Sequence, residues 1–188
     1  MFTRKIFAAV FAGSVAFAAI GGGVAYAKNP MVGGAPMYAN KNIIENAVNS
    51  KDHTTLVAAV KAAGLVETLE GKGPFTVLAP TNEAFAKLPK GTVETLLKPE
   101  NKAKLTKILT CHVIAADATA SVIKKMVKED GGAHKVKTVG GCMLTLRDKN
   151  GHVTVTDENG NTAKVTIADV KQSNGVIHVI NKVLLPKS

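Results

Sequence analysis

The apolar residues of this chain recur with a helical spacing in its first half and with a spacing of two in its second half. In DHTTLVAAVKAAG, residues 52–64, Leu56 and Val60 lie on one helical face, and Gly64 supplies a stop signal. Beyond Gly131, apolar and polar residues alternate, which is typical of strands with one buried face. Because helices come first and strands follow, this order predicts an α+β domain.

Turn signals and a final apolar run define the β-rich half further. Asn150-Gly151 and Asn159-Gly160 supply the positive-φ residues that tight hairpins need. The last run, VIHVINKVLLP at residues 176–186, is almost continuously apolar, which favours a strand buried on both faces. The sequence therefore predicts mainly antiparallel strands.

Residues 1–27 have the parts of a secretory signal peptide. Arg4 and Lys5 precede an apolar stretch, and AYA ends at Ala27 in the A-x-A cleavage pattern. The apolar stretch is shorter than the ~20 residues that a transmembrane helix needs, and glycines interrupt it. We therefore expect cleavage after Ala27 and a secreted or periplasmic protein that is not an integral membrane protein.

The segment that follows the signal has a different composition. Residues 28–40, KNPMVGGAPMYAN, contain two prolines, paired glycines and no apolar period, so we expect a flexible lead-in. The remaining length suits one ordinary domain, which we place at residues 41–187.

The charge of the mature chain limits its partners. Removing Arg4 and Lys5 from the 24 basic residues leaves 22 against 14 acidic residues, a net charge of +8. In an exported protein this excess favours an acidic polysaccharide, an anionic lipid or a cell surface over nucleic acid. The lysines are scattered and do not alternate with aromatic residues, as base stacking would require. The simpler alternative is a basic surface that only keeps the protein soluble.

Motifs for enzymatic chemistry are missing from the sequence. It has no H-E-x-x-H, no Cys-x-x-Cys and no G-x-S-x-G, which mark zinc, redox and hydrolase sites. We therefore expect no enzymatic activity, no catalytic residue, no metal and no cofactor.

The histidines divide into two groups. His112 and His178 lie in apolar runs, where a neutral imidazole usually bonds a backbone carbonyl or a nearby Asn or Asp. The expected side-chain partners are Asn82, Asp169 and Asn174. The remaining histidines are expected to be solvated: His53, His134 and His152.

Cys111 and Cys142 are the two cysteines of the chain. In an oxidising compartment such a pair suggests a disulfide, which would close a loop of about thirty residues and contribute roughly 3 to 4 kcal/mol. Two buried free thiols are the alternative.

Three segments together resemble the fasciclin domain. TVLAPTNEAFAKLP, residues 76–89, is similar to the first signature of that family, and SNGVIHVINKVLLP, residues 173–186, is similar to its second. LTCHVIAA, residues 109–116, lies where the family has a Tyr-His pair, although Cys111 replaces the tyrosine. The resemblance covers residues 40–186. It implies a wedge of β-strands with helices packed around it, in a secreted or surface-held module of the adhesion type.

The resemblance also implies an architectural role for the motif residues. Thr76 begins a central strand, Pro80 ends it, and Thr81 or Asn82 caps a helix that begins at Glu83. We expect these motif residues to hold the scaffold rather than perform chemistry: Thr76, Pro80, Thr81, Asn82, Phe85, His112, Asn174, Gly175 and His178. In animal relatives the Tyr-His motif is linked to integrin binding, but this chain lacks that tyrosine and has no RGD.

Two functions fit this sequence best, and the third alternative is a hydrolase or metal enzyme, for which no set of nucleophile, base and orienting residue can be assembled. The first is a non-enzymatic binding or adhesion module whose partner is a cell-surface or matrix protein or a polysaccharide. The second is a carrier of a small apolar molecule such as a carotenoid or a lipid, because some algal relatives bind carotenoids and a helical half packed on a wedge can leave an apolar groove. In that case the lead-in, which contains Met31, Val32, Met37 and Tyr38, could fold over the groove.

Overall fold

The computed structural model describes residues 29–187, and the predicted signal peptide lies outside them. The α-helices of this range are α1 (Ile43–Ala47), α2 (Thr54–Ala63), α3 (Val66–Glu70), α4 (Asn82–Ala86), α5 (Thr92–Leu96), α6 (Lys102–Thr110) and α7 (Ala120–Glu129). Short 3₁₀ turns precede α2 and α6, at Lys51–His53 and Pro99–Asn101. The strands are β1 (Met31–Val32), β2 (Ala35–Pro36), β3 (Phe75–Pro80), β4 (Val113–Ile114), β5 (His134–Lys137), β6 (Met143–Lys149), β7 (His152–Thr156), β8 (Thr162–Gln172) and β9 (Gly175–Ile180).

Seven of these strands form one sheet in the order β4-β3-β9-β8-β7-β6-β5. Its neighbouring strands are antiparallel except for β3 and β9, which run parallel from Phe75 opposite Gly175 to Pro80 opposite Ile180. Strand β8 pairs with β7 at its start and with β9 further along, and its register shifts after Val165. The predicted α+β class and the mainly antiparallel sheet are confirmed.

Local sequence signals explain where several elements begin and end. Asn42 caps α1 in a reciprocal capping box with Glu45, and α2 ends at Gly64, whose φ of 72° is left-handed. Asn150 and Gly151, both at positive φ, join β6 to β7 as the sequence predicts.

The two faces of β3 and β9 contact different sets of residues, because side chains alternate along a strand. One face packs against α1 to α6 in a cluster that we call the helix-side core. Its members include Val32, Met37, Ile43, Leu56, Val60, Leu69, Val77, Ala79, Phe85, Leu105, Ile108, Ile177 and Val179.

The other face packs against α7 and strands β6 to β8 in a cluster that we call the meander-side core. Its members include Leu78, Ile123, Val127, Leu144, Leu146, Val153, Val155, Ala163, Val165 and Ile180. Strand β9 is therefore buried on both faces, as its apolar run predicts, but it ends at Ile180, so the prediction of a strand is wrong for residues 181–186.

The segment predicted as a flexible lead-in is ordered where the structure describes it, from residue 29. Strands β1 and β2 form a small hairpin, and its anchors Val32 and Met37 are buried in the helix-side core. The Asn46 side chain bonds both the N–H and the carbonyl of Tyr38, at 3.0 and 2.8 Å. The expectation of flexibility is therefore corrected. Val32 and Met37 of the segment pack into the helix-side core, and the buried Asn46 amide bonds it from outside. Because these partners lie outside the segment, its own composition does not indicate them.

Candidate functional site

Thr81 and Asn82, in the turn after β3, form different hydrogen bonds. The Thr81 hydroxyl accepts the Ala84 N–H at 3.2 Å and so caps α4, which begins at Asn82 rather than at Glu83. The Asn82 side chain reaches across to the start of α2. Its oxygen accepts the Thr55 N–H at 3.0 Å, and its amide donates to the Lys51 carbonyl at 2.8 Å. The turn therefore fastens α2 to the central strand.

Asn174 fastens the opposite end of the helical layer. Its oxygen accepts the Ile43 N–H at 3.1 Å, and its amide donates to the carbonyls of Leu69 and Gly71 at 2.8 and 3.0 Å. Gly175 follows in the same turn, where an added Cβ would lie 1.9 Å from the Phe75 carbonyl oxygen. The Asn-Gly pair thus holds α1 and the end of α3 against the β8–β9 turn.

His112 joins α6 to residues 181–187, which follow β9 and which we call the C-terminal segment. Its Nδ1–H donates to the Ile108 carbonyl at 2.8 Å, and its Nε2 accepts the Leu184 N–H at 2.9 Å. The bond from Leu184 requires the neutral imidazole, because a protonated Nε2 could not accept the Leu184 N–H. Burial lowers the pKa of His112 to about 4, against smaller raising effects of the Ile108 carbonyl and Asp157.

His178 and Thr76 hold the loop before α7. The Nε2–H of His178 donates to the Ala118 carbonyl at 2.8 Å, and its Nδ1 accepts the Asp169 N–H at 3.2 Å. The Thr76 hydroxyl donates to the Ala116 carbonyl at 2.6 Å and accepts the Ala118 N–H at 2.8 Å. Each polar atom of these two buried side chains is therefore paired with backbone.

The structure corrects the expected partners of the buried histidines. His112 and His178 bond backbone groups, and Asn82 and Asn174 bond other backbone segments instead of imidazoles. Asp169 contacts His178 through its backbone N–H rather than its carboxylate. The three side-chain partners named from the sequence are therefore wrong for both histidines.

His53 is also corrected, because it is buried rather than solvated. Its Nδ1 lies 2.8 Å from the Ser50 hydroxyl, whereas its Nε2 has no hydrogen-bond partner within residues 29–187. Burial lowers the pKa of His53, partly offset by the Ala79 carbonyl and Asp52. The imidazole lines a small apolar cavity of about 30 Å³ beneath the N-terminal hairpin.

Sequence reasoning also missed Asp157, which is buried at the β7–β8 turn. Its carboxylate accepts the N–H groups of Asn159 and Asn161, and also the Leu185 N–H at 2.9 Å. The neighbouring Glu158 accepts the Lys187 N–H at 3.0 Å. The turn sequence DENGN carries a recognisable Asx-turn signal for the local bonds, but it contains no sign of the bonds to the C-terminal segment.

A disulfide joins Cys111, at the end of α6, to Cys142, just before β6, with 5.4 Å between the Cα atoms. The structure thus favours the paired alternative of the two that the sequence left open. Among residues 29–187, no group of three or more His, Cys, Asp or Glu side chains is placed to hold a metal ion.

Comparison with known proteins identifies the family of this chain. A family model for the fasciclin domain matches residues 51–186, more than half of the chain. This chain belongs to the fasciclin domain family. Protein sll1483 of Synechocystis sp. is 49% identical over 159 residues, which cover 85% of this chain and 81% of that protein. Transforming growth factor-beta-induced protein ig-h3 of Sus scrofa is 41% identical over 131 residues, 70% of this chain and 17% of that protein.

A solved structure supports the same fold. The FAS1 domain pair from the insect cell adhesion molecule fasciclin I matches with a TM-score of 0.68 at 20% identity, over 77% of this chain and 51% of that one. At this identity the likeness concerns the fold. No helix within the described part of this fasciclin domain protein is long and apolar enough to span a membrane.

The fasciclin domain also has an apolar cleft between α1, α2, α3 and the central strand. It encloses about 40 Å³, and its lining contains one lysine, Lys61, beside aliphatic residues and His112. The aliphatic lining includes Ile43, Ile44, Ala47, Leu56, Val60, Leu65, Val66, Leu69, Val77 and Val113. Four of these residues also line the cavity beside His53: Ile43, Ala47, Leu56 and Val77. The two cavities are therefore neighbours within the helix-side core.

Proposed function

We propose that this fasciclin domain is a non-enzymatic binding or adhesion module, exported to act at the cell surface or in extracellular matrix. The proposal rests on one observation. The polar atoms of the motif side chains form hydrogen bonds with backbone groups. Thr76, His112, Asn174 and His178 each bond two or more backbone groups of the scaffold. Such residues stabilise the fold, and partners are then bound by loops, strand edges and surface charges.

The likeness to a cell adhesion molecule supports the same proposal. The matching solved structure is described as a domain pair of an insect cell adhesion molecule. For the present chain, a cell-surface or matrix protein or a polysaccharide is the partner class that suits an exported basic surface.

The test is retention of the mature protein on the envelope of its own host. Fluorescently labelled protein is incubated with intact cells and isolated envelope at physiological ionic strength, and the bound fraction is measured by sedimentation. Cytochrome c, a similarly basic soluble protein, is the control for charge alone. We expect saturable retention of the fasciclin domain well above the control. Retention equal to that of cytochrome c would overturn the proposal.

The apolar cleft favours a second candidate function, the carrier of a small apolar molecule such as a carotenoid or a lipid. Its lining is almost entirely aliphatic, as ligand sites often are. At about 40 Å³ it is far smaller than the ~300 to 1,000 Å³ of typical ligand sites, so loading requires α1 and α3 to move outward.

Native mass spectrometry with an absorption spectrum tests the carrier function on protein purified from its own host. A co-purifying apolar molecule or a visible absorption band is the expected result for a carrier. A bare polypeptide with an ultraviolet spectrum alone, obtained from host material, would contradict it.

A further inference from the structure

Lysines are frequent on α5, α6 and the turns beside them, as they also are on α7 and β5. Residues 84–116 contain six lysines and two glutamates, an excess of four positive charges in 33 residues. The mature chain as a whole carries an excess of eight. Half of the net charge thus lies on about a fifth of the chain.

These lysines have no carboxylate partners in the structure. The ion pairs found within residues 29–187 are Lys125 with Glu129 and His134 with Asp130, both outside this region. Lys87 and Lys107 donate to backbone carbonyls. The pKa of the Glu158 carboxyl is lowered most by the Lys187 N–H and further by the charge of nearby Lys107. An anion that approaches this region therefore meets lysines that no direct ion pair neutralises.

A groove of about 430 Å³ lies on this face, between α5, α6 and the C-terminal segment. This volume falls within the ~300 to 1,000 Å³ of ligand sites, and the groove is open along the surface. Its polar lining is Lys90, Thr92, Thr95, Asn101 and Lys104, and its apolar lining is Leu96, Ile108 and Leu185. We call it the α5–α6 groove.

We propose that the α5–α6 groove binds a uronate-containing polysaccharide. Lys90 and Lys104 pair with carboxylates of the sugar chain, while hydroxyl and amide groups of Thr92, Thr95 and Asn101 bond its hydroxyls. The aliphatic side chains pack against the C–H faces of the rings. This inference rests on the proposed binding function and names its partner class and site.

The chemistry of the groove distinguishes this partner from other anions. No aromatic side chain lines it, so a nucleic acid would find no platform on which to stack its bases. A membrane surface would require apolar side chains exposed beside the lysines. The large apolar residues that are most exposed within residues 29–187 all lie outside residues 84–116: Met31, Tyr38, Val48, Val122, Val139 and Met143.

Two charge-reversal variants of equal net charge test the groove. Lys90→Glu with Lys104→Glu alters the groove, whereas Lys135→Glu with Lys137→Glu alters exposed lysines of β5. The probe is a hexameric oligogalacturonate, whose affinity is measured by titration calorimetry at two salt concentrations. We expect the dissociation constant to rise about tenfold or more in the groove variant and about twofold or less in the β5 variant. Thermal melting of both variants checks that the fold is intact.

The outcomes separate this inference from the proposed function. Equal loss in both variants would show that net charge alone drives binding and would overturn the groove proposal. Hexaglutamate binding as tightly as oligogalacturonate would also overturn it, because the groove would then recognise any polyanion. Retention on the host envelope without affinity for oligogalacturonate would remove the groove proposal and leave the binding function standing. Absence of envelope retention would remove the binding function itself.

Discussion

The helix-side core and the meander-side core share two strands but are built differently. On the meander side, Leu144, Leu146, Val155 and Ala163 are each 1% exposed or less, and a continuous ladder of antiparallel strands surrounds them. On the helix side, short helices cover the strands, two cavities lie between them, and His53 has an unpaired nitrogen within the described range. A ladder fixes its neighbours through regular backbone bonds, whereas short helices depend on a few side chains such as Asn82 and Asn174.

This difference predicts that the helix side of the domain deforms more easily than the meander side. Side chains beside a cavity can shift at a lower cost than those in a filled core, because fewer neighbours must move with them. A ligand or partner that requires movement is therefore expected to engage the helix side, while the meander side keeps its shape.

Removing the disulfide should have the largest effect on stability. Cys111 and Cys142 are separated by 31 residues, so the Cys111→Ser, Cys142→Ser variant should lose about 3 to 4 kcal/mol. The bond joins the end of α6 to the start of β6. In the variant, hydrogen exchange of backbone amides should therefore rise more in α6 than in β6 to β8. Urea unfolding and exchange measurements check both statements.

Wild-type protein with and without a reductant is the control for the serine substitutions. A loss below about 1 kcal/mol would contradict the stabilising role of the bond. Equal exchange increases in α6 and the meander would contradict the unequal rigidity of the two cores.

The meander was more predictable from sequence than the helix side, for a physical reason. Asn150-Gly151 sets a hairpin through its own backbone angles, and strand alternation assigns each side chain to a face. The Thr81 cap is equally local, because its partner is three residues away. Such features are encoded within a few residues and can be recognised there.

Features of the helix side depend on residues distant in sequence. Asn174 bonds Ile43, 131 residues away, and nothing local in either segment indicates the pair. The N-terminal hairpin is ordered by contacts with Asn46 and the helix-side core. Its Gly- and Pro-rich composition contains no sign of these contacts and by itself predicts flexibility. The partners of Asn174 and the α5–α6 groove are formed by segments distant in sequence, so they can be recognised only in the folded chain.

Acid should destabilise the protein through His112. Its pKa is lowered from 6.5 to about 4 in the folded state, so the unfolded chain takes up the proton first as the pH falls. The stabilisation is present above pH 6.5 and is lost progressively towards pH 4, by roughly 3 kcal/mol at about 1.4 kcal/mol per pKa unit. His53, whose pKa is also lowered, adds a loss in the same direction on the helix side.

Urea unfolding at several pH values between 7 and 4 measures this loss. The His112→Gln variant keeps a side chain able to accept the Leu184 N–H but does not titrate, so its stability should vary much less over this range. The His53→Gln variant is the matched comparison and should retain most of the wild-type pH dependence. Identical pH profiles for wild type and His112→Gln would contradict the assignment.

The same enlargement made in each core gives the most direct test of the comparison. Ala163, in β8, is completely buried, and a leucine there must displace its neighbours in a filled core. We expect Ala163→Leu to cost about 1 to 3 kcal/mol. Ala47, at the end of α1, lines both helix-side cavities, where three added carbons can occupy empty space. We expect Ala47→Leu to change stability by about 1 kcal/mol or less, because burial offsets residual strain.

Unfolding in urea compares the two variants, and a fluorescent apolar dye links the result to function. If the helix-side cleft admits apolar molecules, Ala47→Leu should weaken dye binding, while dye binding to Ala163→Leu should match the wild type as long as that variant is folded. A larger loss of stability for Ala47→Leu than for Ala163→Leu would mean that the helix side is the more tightly packed core. The outward movement of α1 and α3 that a carrier requires would then be too costly, and recognition would have to use the rigid outer surface alone.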